Sequence, residues 1–447
     1  MRNCKHYGVA KVLKFALPLV LTSLSGNLMF NVDRLMLAHY SVDAMNAAAL
    51  AGNFTSTMSF AIVSIAQIAA VFVGQYNGLK EYKKAGWAPW QMIYLGLLSF
   101  LAFVPLGVFC HHFGIFPDYY RVDGEKYLRI ILSFAGIQAI IGALTAFFVG
   151  LGRSSLVICA VLSVNVLNFL LNWGLIFGID GIVSPLGIVG SATATIVSEI
   201  THSLLLLGFF LNNQNKTIYN TQDCKFRKNL FLACIKTGLP LSFGKTFSLV
   251  AWFIILSVFN YTSKDLATIE AFSINVWVIF IFFADGSGKA ISSLSANLIG
   301  ENDLLSIKKL YRMFFLFNLA ACALFSIPLV WYQDMMFWFL DGISNEITHI
   351  YPEFRFVFVS MWLTILMDGI FYLTCGVLNS GGDTKFSTCL ELVTLWIGVV
   401  LPTLAMYATN NLTTVRVTYT LLPITGVINC IVIYRRYCQQ KWFTRLV

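Results

Sequence analysis

Apolar residues fall along this chain in twelve long runs, each about the 20 residues that cross a bilayer as a helix, with short polar breaks between them. The runs lie near 12–39, 44–74, 88–111, 128–150, 156–177, 187–211, 231–261, 266–300, 311–332, 354–378, 385–407 and 415–434. In hydrocarbon a backbone must satisfy its own hydrogen bonds, so the pattern predicts an all-α integral membrane protein of twelve transmembrane helices.

The pattern is also written twice. Phe15-Ala16-Leu17-Pro18-Leu19 returns as Thr237-Gly238-Leu239-Pro240-Leu241, and Gly74-Gln75-Tyr76-Asn77-Gly78 returns as Gly300-Glu301-Asn302-Asp303. Gly150-Leu151-Gly152-Arg153-Ser154 returns around Gly376 and the run Ser380-Gly381-Gly382-Asp383-Thr384; Gly74 and Gly150 stand 76 residues apart, as do Gly300 and Gly376. The expected organisation is two six-helix lobes related by an internal repeat: an amino-terminal lobe over 1–211, a polar, basic cytoplasmic linker over 212–229 and a carboxy-terminal lobe over 230–447. Such duplication is the usual signature of a secondary transporter.

Composition excludes a soluble domain. Mean hydropathy is +0.75 and only 11% of residues are charged, more apolar matter than a globular core can hide. Lys and Arg are retained on the cytoplasmic side. Lys80, Lys83, Lys84, Arg153, Lys225, Arg227, Lys228, Lys308, Lys309, Arg435 and Arg436 then share one side with Arg2, Lys5 and Arg445. Both termini are therefore expected in the cytoplasm. The first run continues through Pro18 to Leu37 with no small-residue cleavage pattern, and it reads as a retained span. The net charge of +9 follows from this asymmetry and from anionic headgroups, without a nucleic-acid partner. Single, scattered cysteines and dispersed histidines argue against a metal, a cofactor or a membrane-embedded enzyme.

Lipid should exclude ionisable groups, so those that remain are candidates for function. Asp33, Asp285 and Asp368 lie inside predicted spans; Glu199 and Glu391 also fall within spans, and Glu270 near an outer helix end. Asn165, Asn168 and Asn172 are spaced three and four apart, on one face of the fifth helix, where they can meet Asp33. A carboxyl there can hold a proton, a sodium ion or a cationic cargo in turn, and the amide oxygens of Asn168 and Asn172 also suit sodium. On the seventh helix Lys245 stands well inside the membrane, a potential partner of Asp285 or Asp368. Asp285 and Lys289, four apart, can neutralise one another. A lysine facing the cavity would suit anionic or zwitterionic cargo.

Several of these segments resemble the multidrug and toxic compound extrusion (MATE) family: Leu17-Pro18-Leu19 followed by Asn31-Val32-Asp33-Arg34-Leu35-Met36; Val73-Gly74-Gln75; Gly190-Ser191-Ala192-Thr193-Ala194-Thr195; and Gly381-Gly382-Asp383-Thr384. The resemblance covers nearly the whole chain in order. It implies a V-shaped pair of six-helix lobes in the inner membrane, exporting small organic compounds in exchange for protons or sodium ions, and expected here to act as a monomer. It also implies that Asp33, Asn168, Asn172 and Thr195 form the amino-lobe cation site, and that Asp368 stands where some relatives carry a functional aspartate. The chain departs from those relatives on the seventh helix, where their glutamate falls near Phe247 or Ser248. The closest alternative is a flippase or exporter of a lipid-linked saccharide or an anionic metabolite, which Lys245 and Lys289 would serve.

The charge asymmetry generates a topological prediction. Cysteines placed in 212–229 and in 334–346 should react with an impermeant reagent from opposite faces; labelling of both from outside overturns the orientation.

Overall fold

The computed structural model describes residues 9–116, 121–179, 181–182, 184–334, 350–409 and 415–446. Most of the loop at 334–346, and Arg2 and Lys5 among the expected cytoplasmic cations, thus lie outside the described residues. The described chain is nearly all helical. In order, it comprises α1 (Val9–Tyr40), α2 (Val42–Gln67), α3 (Ala69–Gly78), α4 (Trp87–Val108), α5 (Arg121–Phe134), α6 (Gly136–Gly150), α7 (Ser154–Phe177) and α8 (Gly187–Phe210). The short α9 (Asn213–Tyr219) leads to α10 (Lys228–Thr262), α11 (Lys264–Glu301), α12 (Leu304–Ser326), α13 (Tyr351–Ser380), α14 (Thr384–Leu395), α15 (Leu401–Ala408) and α16 (Arg416–Cys438). Among the described residues ten helical stretches are long and apolar enough to span a bilayer. Two further helices, α1 and α11, run for 32 and 38 residues.

Two of the predicted spans are interrupted. The second breaks at Ile68 between α2 and α3, where Ile68 N–H donates to Ile65 and Val71 N–H to Ile68, each three residues back. The fourth breaks in the same way at Ala135 between α5 and α6. The tightened turns shift the helix faces that follow, and the second of them positions Gln138. A π-helical turn over Trp396–Val400 joins α14 to α15, and another over Ile327–Trp331 ends the ninth span.

The chain packs into two compact units. One holds Leu17–Phe243 with Ala296–Asn302, Arg445 and Leu446; the other holds Gly244–Ser295 and Asp303–Thr444 with the start of α1. In the first, α4 and α2 pack on α6, and α7 lies along α8. Alanines 44, 47, 48 and 51 of α2 let it approach α5, whose Leu128, Ile131 and Leu132 complete that part of the core. In the second unit α13 packs on α12 and α16, around Phe259, Phe354 and Phe358. Leu101 and Leu316, by contrast, face outward, as a surface solvated by lipid allows.

The repeated glycine turns have a shared purpose. In the first unit Gly152 adopts a left-handed φ of 77°, and the next residue, Arg153, bonds Asn215 at 3.1 Å and lies over the Tyr219 ring. Thus α9, which follows α8, docks on this turn. In the second unit Gly382 has φ 85°, and Asp383 binds Arg436 at 2.8 Å. Gly381 leaves no room for a Cβ, because the backbone carbonyl of Trp442 occupies that space. Each unit therefore docks a later segment on a glycine turn. The segment 221–227 is further fixed to α4: Trp90 Nε1 donates to Thr221 O at 2.7 Å, and Gln91 Oε1 accepts from Arg227 N–H at 2.8 Å. Within it, slight burial opposes the charge of Asp223. The Arg227 guanidinium at 2.6 Å outweighs this and holds the carboxyl below its ordinary range.

A Cβ at Gly300 would meet the backbone carbonyl of Gln75, so Gly300→Val should force a backbone shift costing about 1–3 kcal/mol. A thermal melt of the purified protein should show a lowered midpoint. Gly208→Ala, where a Cβ meets nothing, should not.

Candidate functional site

In the amino-lobe unit the sequence-predicted residues meet. The Asn172 amide on α7 donates to Asp33 Oδ1 at 2.7 Å, and the Thr195 hydroxyl on α8 donates to Oδ2 at 3.2 Å. Asn172 also donates to Asn168 Oδ1, one turn earlier, at 3.1 Å. Four-residue spacing on α7 stacks the two amides on the face that α1 meets. Asp33 is only 3% exposed, and its three neighbours are buried with it. Arg34 turns away and donates to Asn53 at 2.8 Å. Asn165, the third residue of the stripe, donates to the Ser25 carbonyl at 3.1 Å; it ties α7 to α1 without touching the carboxyl.

The donors to Asp33 are thus neutral. A carboxyl so placed can exchange a proton for a cation at small structural cost, because no built-in positive charge has to be displaced. Asn172 Oδ1 is buried without a partner, as is Asn168 Nδ2. Turning the Asn172 amide would aim that oxygen at an ion beside Asp33, so the donor chemistry suits sodium as well as a proton.

One connection escaped sequence reading. Gln138, just past the Ala135 break, donates to Glu199 Oε1 at 2.9 Å and accepts from Ser59 at 2.7 Å. This joins α2, α6 and α8 one turn beyond Thr195. The visible signal was a glutamine within an apolar run opposite a glutamate in another, but a sequence does not say which helix faces meet.

In the carboxy-lobe unit Asp285 is gripped from two sides. Lys289 Nζ lies 2.7 Å from Oδ2, and Lys245 Nζ on α10 lies 3.5 Å from Oδ1. Asp368 on α13 belongs to the same unit but not to that ion-paired group. Tyr372, one turn after Asp368, donates to Glu391 Oε1 at 3.2 Å. Tyr372 was not anticipated, although its i to i+4 spacing from Asp368 is legible. Among the described residues no group of three or more His, Cys, Asp or Glu could hold a metal ion.

The family profile described as MatE matches residues 18–174 and 241–404. The chain is 21% identical to the uncharacterized transporter YisQ of Bacillus subtilis (strain 168), over 84% of this chain and 82% of that protein. It is 23% identical to the probable multidrug resistance protein YoeA of the same organism, over 72% of this chain and 70% of that one. Its fold is similar to the crystal structure of a MATE protein in complex with MaL6, with a TM-score of 0.81, 15% identity and coverage of 97% and 96% of the two chains.

Removing the amide of Asn172 leaves Asp33 with one donor and opens a void in a buried site. Asn172→Ala should therefore cost about 1–3 kcal/mol, seen as a lowered thermal midpoint. Asn168→Ala, whose link to Asp33 runs only through Asn172, should cost less. Equal losses would place Asn168 in a role of its own.

Proposed function

The chain belongs to the MatE family of membrane transporters, and from that premise we propose that it is a secondary antiporter exporting small organic compounds by alternating access, driven by an inward flux of protons or sodium ions. It is a transporter and not an enzyme. In this reading it works as a monomer in the inner membrane with both termini cytoplasmic, its lobes spanning 1–211 and 230–447 on either side of the 212–229 linker.

The observation that carries the reading is Asp33: a buried carboxyl on a long apolar helix, held by the neutral Asn172 and Thr195. Holding a carboxyl inside the membrane costs about 2.5–3.5 kcal/mol on insertion scales, and a merely structural bond between helices would be served by an amide at less cost. Titration is what the amide lacks. Occupation of Asp33 by the coupling ion competes with cargo for one group, directly or through Asn172, so downhill entry of the ion drives cargo out. The name of YoeA, a probable multidrug resistance protein, supports a drug-like cargo.

Proteoliposomes with proton and sodium gradients imposed separately test this. Export should follow at least one of the two gradients, and Asp33→Asn should abolish the gradient-driven component while the protein remains folded, since the substitution keeps volume and removes titration. Full gradient-driven export by Asp33→Asn would move the coupling group elsewhere.

A further inference from the structure

Lys245 and Lys289 stand far from the ends of α10 and α11, yet their side chains are 36% and 39% exposed, and that of Asp285 is 21% exposed. Charges at that depth are not left facing hydrocarbon, so such groups face water or a bound polar group. Two ammonium groups from two helices converge there on a single carboxylate. Their separations from it also differ: Lys289 makes a close contact at 2.7 Å, whereas Lys245 stands off at 3.5 Å.

We propose that this triad is a recognition site for an anionic group on the cargo, a carboxylate or phosphate that exchanges with Asp285 for the two lysines. The proposal rests on the transporter reading above and adds the charge of what is carried. Asp285 acts as an internal stand-in: it pairs with both ammonium groups while no cargo is bound, leaving the triad one net positive charge, and an incoming oxyanion takes the same donors.

The sign of one substitution separates this from a cation site. Binding to the purified full chain in detergent can be followed by fluorescence anisotropy, using carboxyfluorescein as the anionic probe and tetramethylrhodamine ethyl ester as a cationic dye of the same ring system. Asp285→Asn, which removes the internal competitor, should tighten carboxyfluorescein binding about tenfold, and Lys245→Gln or Lys289→Gln should weaken it about as much. Binding of the cationic ester should be spared by the lysine changes. Lys289→Gln leaves Asp285 with only the longer contact and can impair folding; the double variant Asp285→Asn/Lys289→Gln removes that strain and should still bind carboxyfluorescein more weakly than Asp285→Asn alone. Competition by pyrophosphate would assign the group to a phosphate, and competition by acetate to a carboxylate, either in support. Absence of carboxyfluorescein binding to the unaltered protein, or weaker binding by Asp285→Asn, would overturn the proposal. No ion gradient enters this measurement, so its failure leaves the antiport reading standing, and a failed Asp33 test leaves this one standing.

Discussion

Hydrocarbon offers no hydrogen bond to a polar atom, and the surroundings of three carboxyl groups within the spans answer that constraint. Asp33 takes its bonds from an amide and a hydroxyl, Glu199 takes one from Gln138, and Asp285 is held between two lysines. The lobes solve the same problem with different chemistry. The amino lobe uses neutral donors, so its carboxyl stays available to an external ion. In the carboxy-lobe unit Asp285 is met by opposite charges, so that carboxylate is already engaged and any ligand there must compete with a residue of the protein.

Duplication explains the scaffold better than the sites. Both lobes have a glycine turn on which a later segment docks, α9 in one and the segment around Trp442 in the other, and both turns are secured through an arginine: Arg153 with Asn215, Arg436 with Asp383. These are backbone requirements. A left-handed φ and a missing Cβ leave little choice of residue, which is why the same motif stands in both halves. The ionisable groups diverge freely because each helix face can recruit whichever neighbour complements it.

The same distinction sets what was legible in the sequence. The spans were readable because an apolar run in lipid has one backbone solution. Asp33, Asn168 and Asn172 were readable because helical periodicity puts the asparagines on one face; Thr195 came from family resemblance. Partnership across helices was not readable, since it depends on how each helix is rotated about its axis. Hence the bond from Gln138 to Glu199 went unseen, and Lys245 could be assigned to Asp285 only once α10 and α11 were in place. The breaks at Ile68 and Ala135 were equally hidden, having no proline to mark them.

The membership of the amino-lobe unit bears on the order in which the protein can be completed during synthesis. Gln75 is fully buried, and its Oε1 accepts from the N–H of Leu446, 371 residues later in the chain. Gly150 O accepts from Asn297, and Gly300 O from Arg445. The half of the molecule that leaves the ribosome first therefore carries polar atoms whose partners are translated much later. It can be inserted early, but it reaches its final packing only after the second half has been threaded through the membrane. Assembly then ends with a closing step in the oldest part of the chain, and until that step the nascent amino lobe is a natural client for the insertion machinery.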